Sequence, residues 1–368
     1  MSNNEEQFLR YVHTRGAKLK RPVSGTFEIT SRCNLNCKMC YVHSENCAEI
    51  RNAELSTAEW MRIADELKQS GVLMVLITGG EPLIRSDFKE IYLYLKKIGM
   101  SVQLNTNGTL INDDIISLFK EYPPMRIALS VYGASDETYY AVCGKRGMYQ
   151  KVIDGALALK DAGMRIKISL TANQFNSGDI VKIYDWAKQN GFPVQSASYM
   201  FPSVRLDGQN ARPTPEQAAQ NMLNCLRGAY TEDFTERVKD FLNGKNPARA
   251  DEEPADDLGE RIWCRAGKST FWITWRGELS PCGMMPEPKI SLLENDFETA
   301  WKFICDKTDE IRLPARCFDC KYRPICDVCA ASCYAENKRF GALPVYQCKK
   351  AEAFYRAAKE VIENAQDQ

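Results

Sequence analysis

The chain predicts an α/β protein, a parallel sheet of six β/α units followed by a small, irregular, cysteine-rich domain. Residues 24–205 alternate short apolar, β-branched runs with amphipathic helical runs. Four of the helical runs stop at a glycine, Gly71, Gly99, Gly163 and Gly191, where a left-handed C-cap is favoured. From Trp263 onward the composition turns to cysteines, aromatics and short elements. A chain of 368 residues has length for two or three domains and a large core.

The strand candidates in order are residues 26–30, 73–78, 102–106, 126–131, 166–171 and 194–199. Several are continuously apolar, as strands covered on both faces are. Ser56-Thr-Ala-Glu59 is a capping box and opens a helix to about residue 70. Residues 87–98, 113–121, 149–162 and 178–190 carry the next helical patterns. Six such units in series require parallel strands joined by right-handed crossovers. Ligands in these sheets sit beyond the C-terminal strand ends, so the residues just after each strand are the ones expected to carry chemistry. A helical stretch, 214–242, follows, and 246–260, rich in Pro, Asp and Glu, reads as a solvated interdomain loop. The expected organisation is an extension (1–23), a core (24–205), a connector (206–260) and a C-terminal domain (261–368).

Lys+Arg and Asp+Glu balance at 48 each, so no net field favours nucleic acid or an anionic membrane. The longest clean apolar run, 72–77, is too short to cross a bilayer. No export signal opens the chain, and a cytoplasmic location is expected. Fifteen cysteines without such a signal do not read as a disulfide framework. They cluster instead, three at 33–40 and six at 317–348, which points to metal. With only two histidines, His13 and His43, histidine acid–base chemistry is not expected.

The first cluster is C-x-x-x-C-x-x-C, formed by Cys33, Cys37 and Cys40. Three thiolates so spaced can each hold one iron of a 4Fe–4S cube and leave the fourth iron open. The alternatives are a zinc knuckle or buried thiols. Zinc sites usually add a second cysteine pair or histidines downstream, and only His43 stands near.

This motif resembles the signature of the radical S-adenosylmethionine (radical SAM) enzymes, with Met39 at the position before the last cysteine, usually apolar or aromatic, and Tyr41 just after it. The resemblance implies a partial (β/α)6 barrel with Cys33, Cys37 and Cys40 as catalytic cluster ligands. In that family the open iron chelates the amino and carboxylate groups of SAM. One electron then splits the sulfonium into methionine and a 5′-deoxyadenosyl radical. An external donor such as flavodoxin or ferredoxin is implied. Thr78-Gly-Gly-Glu-Pro-Leu83 resembles the glycine-rich motif that holds the SAM amino group, which implies cofactor contacts for Gly79, Gly80, Glu81 and Pro82, with Glu81 pairing with the ammonium. By the same resemblance Thr106, Asn107 and Ser130 face the ribose or methionine end, and Thr171 and Asn173 the adenosine; plain turn chemistry is the alternative for each. Many relatives read D-G-A-S…R-G where this chain has Tyr132 and Cys143, so the arginine's carboxylate contact would fall to Lys145 or Arg146.

The C-terminal cysteines resemble the SPASM extension, which carries two auxiliary 4Fe–4S clusters. Cys264, Cys282, Cys317, Cys320, Cys326, Cys329, Cys333 and Cys348 make the eight thiolates that two clusters require, for three clusters in the chain. The dense run departs from the usual pattern: two residues separate Cys326 from Cys329, and Cys333 is extra. Which of Cys329 and Cys333 serves which cluster stays open. Cys305 is a possible ninth ligand, a zinc ribbon pair is the alternative for the domain, and Cys47, Cys143 and Cys225 read as buried thiols. Residues 270–275 look like a hairpin strand beside a cluster.

The resemblance implies hydrogen abstraction from a substrate, with a ribosomally made peptide expected and a crosslink, epimerisation or other oxidation as outcome. A small metabolite or a sulfatase polypeptide is the alternative, and a non-enzymatic electron carrier a further one. Sulfatase maturases place Asp after the second auxiliary cysteine, whereas Gly283 follows Cys282 here. Residues 1–24 are too few to bury a core. No fused leader-binding domain is expected, and a peptide would be recognised by a separate small protein or by the barrel mouth and residues 206–260.

Overall fold

The structure is a computed structural model that describes residues 3–42, 47–197, 199–202, 211–244 and 261–366. His43 and the 246–260 loop lie outside these residues, as do residues 203–210 across the expected boundary of core and connector. Helix α1 (Asn3–Lys18) leads into β1 (Ser24–Glu28) and, after the cysteine loop, into α2 (Ala48–Asn52) and α3 (Thr57–Gln69). Then come β2 (Met74–Thr78), α4 (Phe88–Lys97), β3 (Ser101–Thr106), α5 (Asp113–Glu121) and β4 (Arg126–Ser130). Helices α6 (Asp136–Cys143) and α7 (Met148–Asp161) precede β5 (Ile166–Thr171), α8 (Ile180–Gln189) and β6 (Val194–Ala197). The connector holds α9 (Pro215–Ala229) and α10 (Phe234–Leu242). The C-terminal part holds β7 (Thr270–Ile273), β8 (Glu278–Ser280), β9 (Ile290–Ser291), α11 (Phe297–Asp309), α12 (Ala330–Asn337) and α13 (Val345–Asn364).

The six expected β/α units are present, with β1 to β6 paired in parallel and in sequence order. The Ser56 capping box forms, Ser56 N–H donating to Glu59 and Glu59 N–H to Ser56 Oγ. Expected strands buried on both faces give way to alternation in β3 and β5, while β4 stays buried through Ile127, Ala128 and Leu129. Leu104, Ile127, Leu129 and Ile168 are fully buried against the helices. The opposite, inward face carries Gln103 and Asn105, Arg126 and Ser130, Lys167, Ser169 and Thr171, all half-buried. Side chains alternate along a strand, so each inward column offers one group to the N-terminal floor of the barrel and another to its C-terminal mouth.

The sheet does not stop at the expected boundary near 261. Strand β7 pairs in parallel with β1, Gly25 opposite Phe271, and β8 and β9 extend the sheet to nine strands. Phe271, Ile273, Leu279, Phe297 and Ile304 join the same apolar core as Phe27 and Ile77. The unpaired side of β1 is an edge that demands a partner, and a strand distant in sequence supplies it. The cysteine-rich remainder builds its own apolar cluster around Ile262, Leu313, Val328 and Cys333.

The N-terminal extension is a docked helix. His13 is buried with Nδ1 3.2 Å from Ser269 Oγ, and burial, then the Arg265 charge, lowers its pKa to about 4. A Cβ at Gly16 would stand 2.4 Å from Val23 Cγ2, so α1 lies directly on the entry to β1. Deleting residues 1–15 is therefore expected to lower the melting temperature by about 5 °C, at a few degrees per kcal/mol for a chain of this size. An unchanged midpoint by calorimetry would show that the docking contributes nothing to stability.

Candidate active site

The cysteine loop leaves the end of β1 and is held from three sides. Asn36 and Lys38 donate backbone N–H bonds to the carbonyls of Cys143 and Val142 at the end of α6, 2.9 and 3.0 Å. Arg32 forms a two-pronged pair with Glu54, 2.8 Å to each oxygen. Arg85 reaches Glu54 at 3.6 Å, Asp87 at 2.6 Å and the Ile29 carbonyl at 2.8 Å. This network is nearly dry, with the Arg85 and Glu54 side chains each 5% exposed, and breaking one partner of such a cluster leaves an uncompensated charge.

Gly79 and Gly80 lie against the root of the same loop. Their amide neighbours pair with it, Gly80 N–H to Thr30 O at 2.8 Å and Glu81 N–H to Arg32 O at 2.9 Å. A Cβ at either glycine would stand 2.3 Å from a loop carbonyl, Thr30 O or Arg32 O, and Gly79 has φ +152°. The two glycines thus bring the loop after β2 and the cysteine loop into backbone contact.

A cavity of about 340 Å³ opens between this loop and the strand ends. Cys33, Cys37 and Cys40 line it, as do Tyr41, Gly79, Gly80, Thr106, Asn107, Ser130 and Thr171. The expected residues it does not include are Glu81 and Pro82, both buried behind the wall. The Glu81 carboxylate accepts from Asn107 N–H at 2.7 Å, Thr106 Oγ1 at 2.8 Å and Leu83 N–H at 3.2 Å. Burial raises its pKa to about 7 against the pull of those three donors. Two of these bonds tie the loop after β2 to the loop after β3. Asn173 is likewise turned into its own turn, bonding Asn176, Phe175 and the Thr171 carbonyl. Lys145 donates to the Asn34 carbonyl at 3.3 Å and Arg146 stacks on Tyr140; neither lines the cavity. Sequence reasoning missed Tyr199, Met200, Phe201 and Met284, which close the far side; the irregular chain that carries most of them has no periodic signal.

The thiols suit iron–sulfur ligation. Cys33 Sγ accepts the Leu35 N–H at 3.4 Å, and its thiol is pushed up to about 12, by burial first. Met284 N–H approaches Cys282 Sγ at 3.4 Å, Ser332 N–H Cys329 Sγ at 3.4 Å, and Gln347 Nε2 Cys326 Sγ at 3.7 Å. Donors aimed at sulfur stabilise thiolate and tune a cluster. Among the described residues no three cysteine, histidine or carboxylate side chains converge on one point.

Two further cysteine groups can be told apart, with Cys333 beside members of both. Cys317, Cys320, Cys326 and Cys348 share the wall of a cavity of about 40 Å³. Cys264 neighbours Cys282 and Cys329, and burial first, then those neighbours, raise its thiol to about 11. Cys333, fully buried, stands near Cys329, Cys317 and Cys326. Cys305 packs in the barrel core beside Lys20 and Asp309, away from both groups. Trp272 of the expected hairpin packs edge-on to Tyr41, and a Cβ at Gly283 would stand 2.6 Å from its indole. Tight packing against Trp272 therefore holds a glycine after Cys282.

Residues 27–187 match the pattern of the Radical SAM superfamily. These residues form a radical SAM domain. Radical SAM proteins bind a 4Fe–4S cluster and SAM, and this radical SAM chain is an enzyme. Over 325 residues it is 26% identical to the AdoMet-dependent heme synthase of Methanosarcina barkeri, covering 84% of this chain and 91% of the relative. Over 338 residues it is 28% identical to the mycofactocin maturase MftC of Mycolicibacterium smegmatis, covering 89% and 81%. The fold is similar to that of Streptococcus suis SuiB bound to SAM, with TM-score 0.63 and 18% identity over 94% of this chain and 84% of that one. SuiB is also known bound to its precursor peptide SuiA. No described helix is long and apolar enough to cross a membrane.

Glu28, at the end of β1, accepts from Trp272 Nε1 at 2.9 Å and is 5% exposed. Burial raises its pKa to about 7, the Trp272 bond opposing. A carboxyl whose folded pKa lies above its unfolded value binds more protons folded than unfolded between about pH 4.5 and 7. Its ionisation therefore lowers stability as pH rises through that window. Glu28→Gln keeps the acceptor oxygen and is expected to flatten the fall in melting temperature between pH 5 and 7. An identical pH profile for the variant would show that Glu28 ionises normally.

Proposed function

We propose that this radical SAM enzyme removes a hydrogen atom from a side chain of a ribosomally made peptide, leading to a crosslink, an epimerised centre or another oxidised product. The observation that carries this reading is the cavity that runs from Cys33, Cys37 and Cys40 to Tyr199, Phe201 and Met284, beside the auxiliary cysteines. Cys33, Cys37 and Cys40 would hold a 4Fe–4S cluster, which when reduced would supply the electron for reductive cleavage of SAM and so the oxidising power for hydrogen abstraction.

The chain's own residues do the placing. Gly79 and Gly80 let the backbone approach the methionine end. Thr106, Asn107, Ser130 and Thr171 offer donors and acceptors at the strand ends, and Glu81 fixes Thr106 and Asn107 from behind. The aromatic and thioether wall excludes water from a reactive radical. Three clusters per chain complete the proposal: the catalytic one, one on Cys317, Cys320, Cys326 and Cys348, and one on Cys264, Cys282 and Cys329 with Cys333 beside it. The electron comes from an external donor such as a flavodoxin or ferredoxin. The domain division proposed keeps the radical SAM core at 24–205, with the cysteine-rich region from 261 carrying the auxiliary clusters on a shared sheet. Similarity to a PqqA peptide cyclase, and to SuiB, which is known bound to its precursor peptide SuiA, supports the peptide. A second reading, a porphyrin substrate, is favoured by the heme synthase match over most of both chains.

Anaerobic enzyme, dithionite and SAM, with side-chain-deuterated ribosomal precursor peptides, should yield deuterated 5′-deoxyadenosine and a modified peptide. Deuterium arriving only from a labelled porphyrin would establish the second reading and overturn the first. No SAM cleavage with iron-replete protein under any condition would refute both.

A further inference from the structure

We propose that Gln347 tunes the auxiliary cluster proposed for Cys317, Cys320, Cys326 and Cys348, raising its reduction potential and so favouring it as an electron acceptor. This role presupposes a 4Fe–4S cluster on those four thiolates. They share the wall of one small cavity, and Gln347 lines the same wall. Gln347 stands in the first turn of α13, next to Cys348, and is 1% exposed. Its Nε2 donates to Cys326 Sγ at 3.7 Å. Cys326 is itself buried, and the Val328 N–H is a second donor to its sulfur.

A side-chain amide costs free energy to bury unless both of its ends find partners. Here one end does: among the described residues Gln347 Oε1 has no hydrogen-bond partner. An apolar side chain of the same length would fill the space without that cost, so packing alone does not account for an amide. The sulfur does. A thiolate only accepts hydrogen bonds, and a carbonyl oxygen turned toward it would be repelled, so ligation fixes the amide with its N–H end on Cys326. Reduction adds negative charge to a cluster and its thiolates. A donor on one of the sulfurs stabilises that added charge and raises the potential. Burial keeps water from competing for the same sulfur, which strengthens the bond. On the other side of the group Cys348 is exposed and Cys320 half-buried, so an electron held here lies near the surface. Lys350, one turn along α13, also acts on Cys326 through its charge. Substitutions at Gln347 leave that charge in place, so their effects report the amide.

The test is a redox titration of the cluster-loaded full chain with dithionite, followed by EPR. The signal lost when Cys317→Ala and Cys348→Ala are combined belongs to this group. Gln347→Met keeps the length of the side chain and removes the donor. It should lower the reduction equilibrium constant of that signal about tenfold, which is about 59 mV for a one-electron couple, and leave the other cluster signals unmoved. Gln347→Glu, which sets a carboxylate against the thiolates, should lower it further. The cluster-free protein should melt at the same temperature or higher in Gln347→Met, because an unmatched carbonyl is removed. A purely structural role would lower the melting temperature and leave the potential unchanged, and that result overturns the proposal. Should Gln347→Met fail to load its cluster, pulsed EPR of reduced wild-type protein carrying isotope-labelled glutamine side-chain nitrogen decides instead. A nitrogen coupled to this cluster is expected, and its absence overturns the proposal. A wild-type potential in Gln347→Met with full iron content overturns the role of Gln347 while the cluster stands. Iron content unaltered by the two cysteine substitutions overturns both.

Discussion

Replacing Cys33, Cys37 and Cys40 together with alanine should remove about four of about twelve irons from anaerobically reconstituted protein, on a one-thiolate-per-iron basis, and should abolish SAM cleavage. The three thiols line one cavity with the strand-end polar residues, whereas the other cysteine groups sit around different walls. The auxiliary irons are therefore expected to survive, leaving the visible absorption of the protein at roughly two thirds. Cys33, raised to about 12 by burial, is protonated without metal at neutral pH, so cluster assembly must expel its proton and should run faster at higher pH. Iron analysis of the variant decides between outcomes. Loss of all iron would mean that the three sites fold as one unit, and stoichiometric zinc in anaerobically purified protein would remove the iron–sulfur reading altogether.

The β/α core was legible because its signals are local. The run 73–78 becomes Met74–Thr78 and the 113–121 pattern becomes Asp113–Glu121; apolar periodicity and caps suffice for such elements. Strand β7 was misplaced in a separate domain because its partner, β1, lies some two hundred and forty residues earlier, and no local pattern encodes that pairing. Helix α1 was missed for a related reason. It is polar, and its burial comes from Gly16 and His13 meeting β1 and Ser269. At the site, spacing located the cysteines and glycines, but not how Cys329 and Cys333 divide. A side chain's direction depends on packing, which is why Glu81 reads as a cavity residue in sequence and stands behind the wall in space.

Glu81→Ala should weaken SAM binding at least tenfold and lower the melting temperature as well. The carboxylate is the common acceptor for Leu83 N–H, Thr106 Oγ1 and Asn107 N–H. Removing it leaves three buried donors unmatched, at about 1–3 kcal/mol for each that water cannot reach. The damage travels to the cavity through Asn107, whose Nδ2 donates to Asn34 Oδ1 at 2.9 Å and lies 3.8 Å from Cys33 Sγ. A direct ammonium contact would also weaken SAM when lost, on the order of 3–5 kcal/mol for one partner of a buried charged pair, but it would leave Thr106 out of the account. Thr106→Val tests the positioning role through stability, since Thr106 also lines the cavity. It removes one donor and keeps the carboxylate, so the positioning role predicts a partial share of both losses, in affinity and in stability. Glu81→Gln retains one acceptor oxygen but turns an amide donor toward the Thr106 and Asn107 donors, and should fall between wild type and alanine. Calorimetry that finds wild-type SAM affinity in Glu81→Ala would show that the loop after β3 holds its place without the carboxylate.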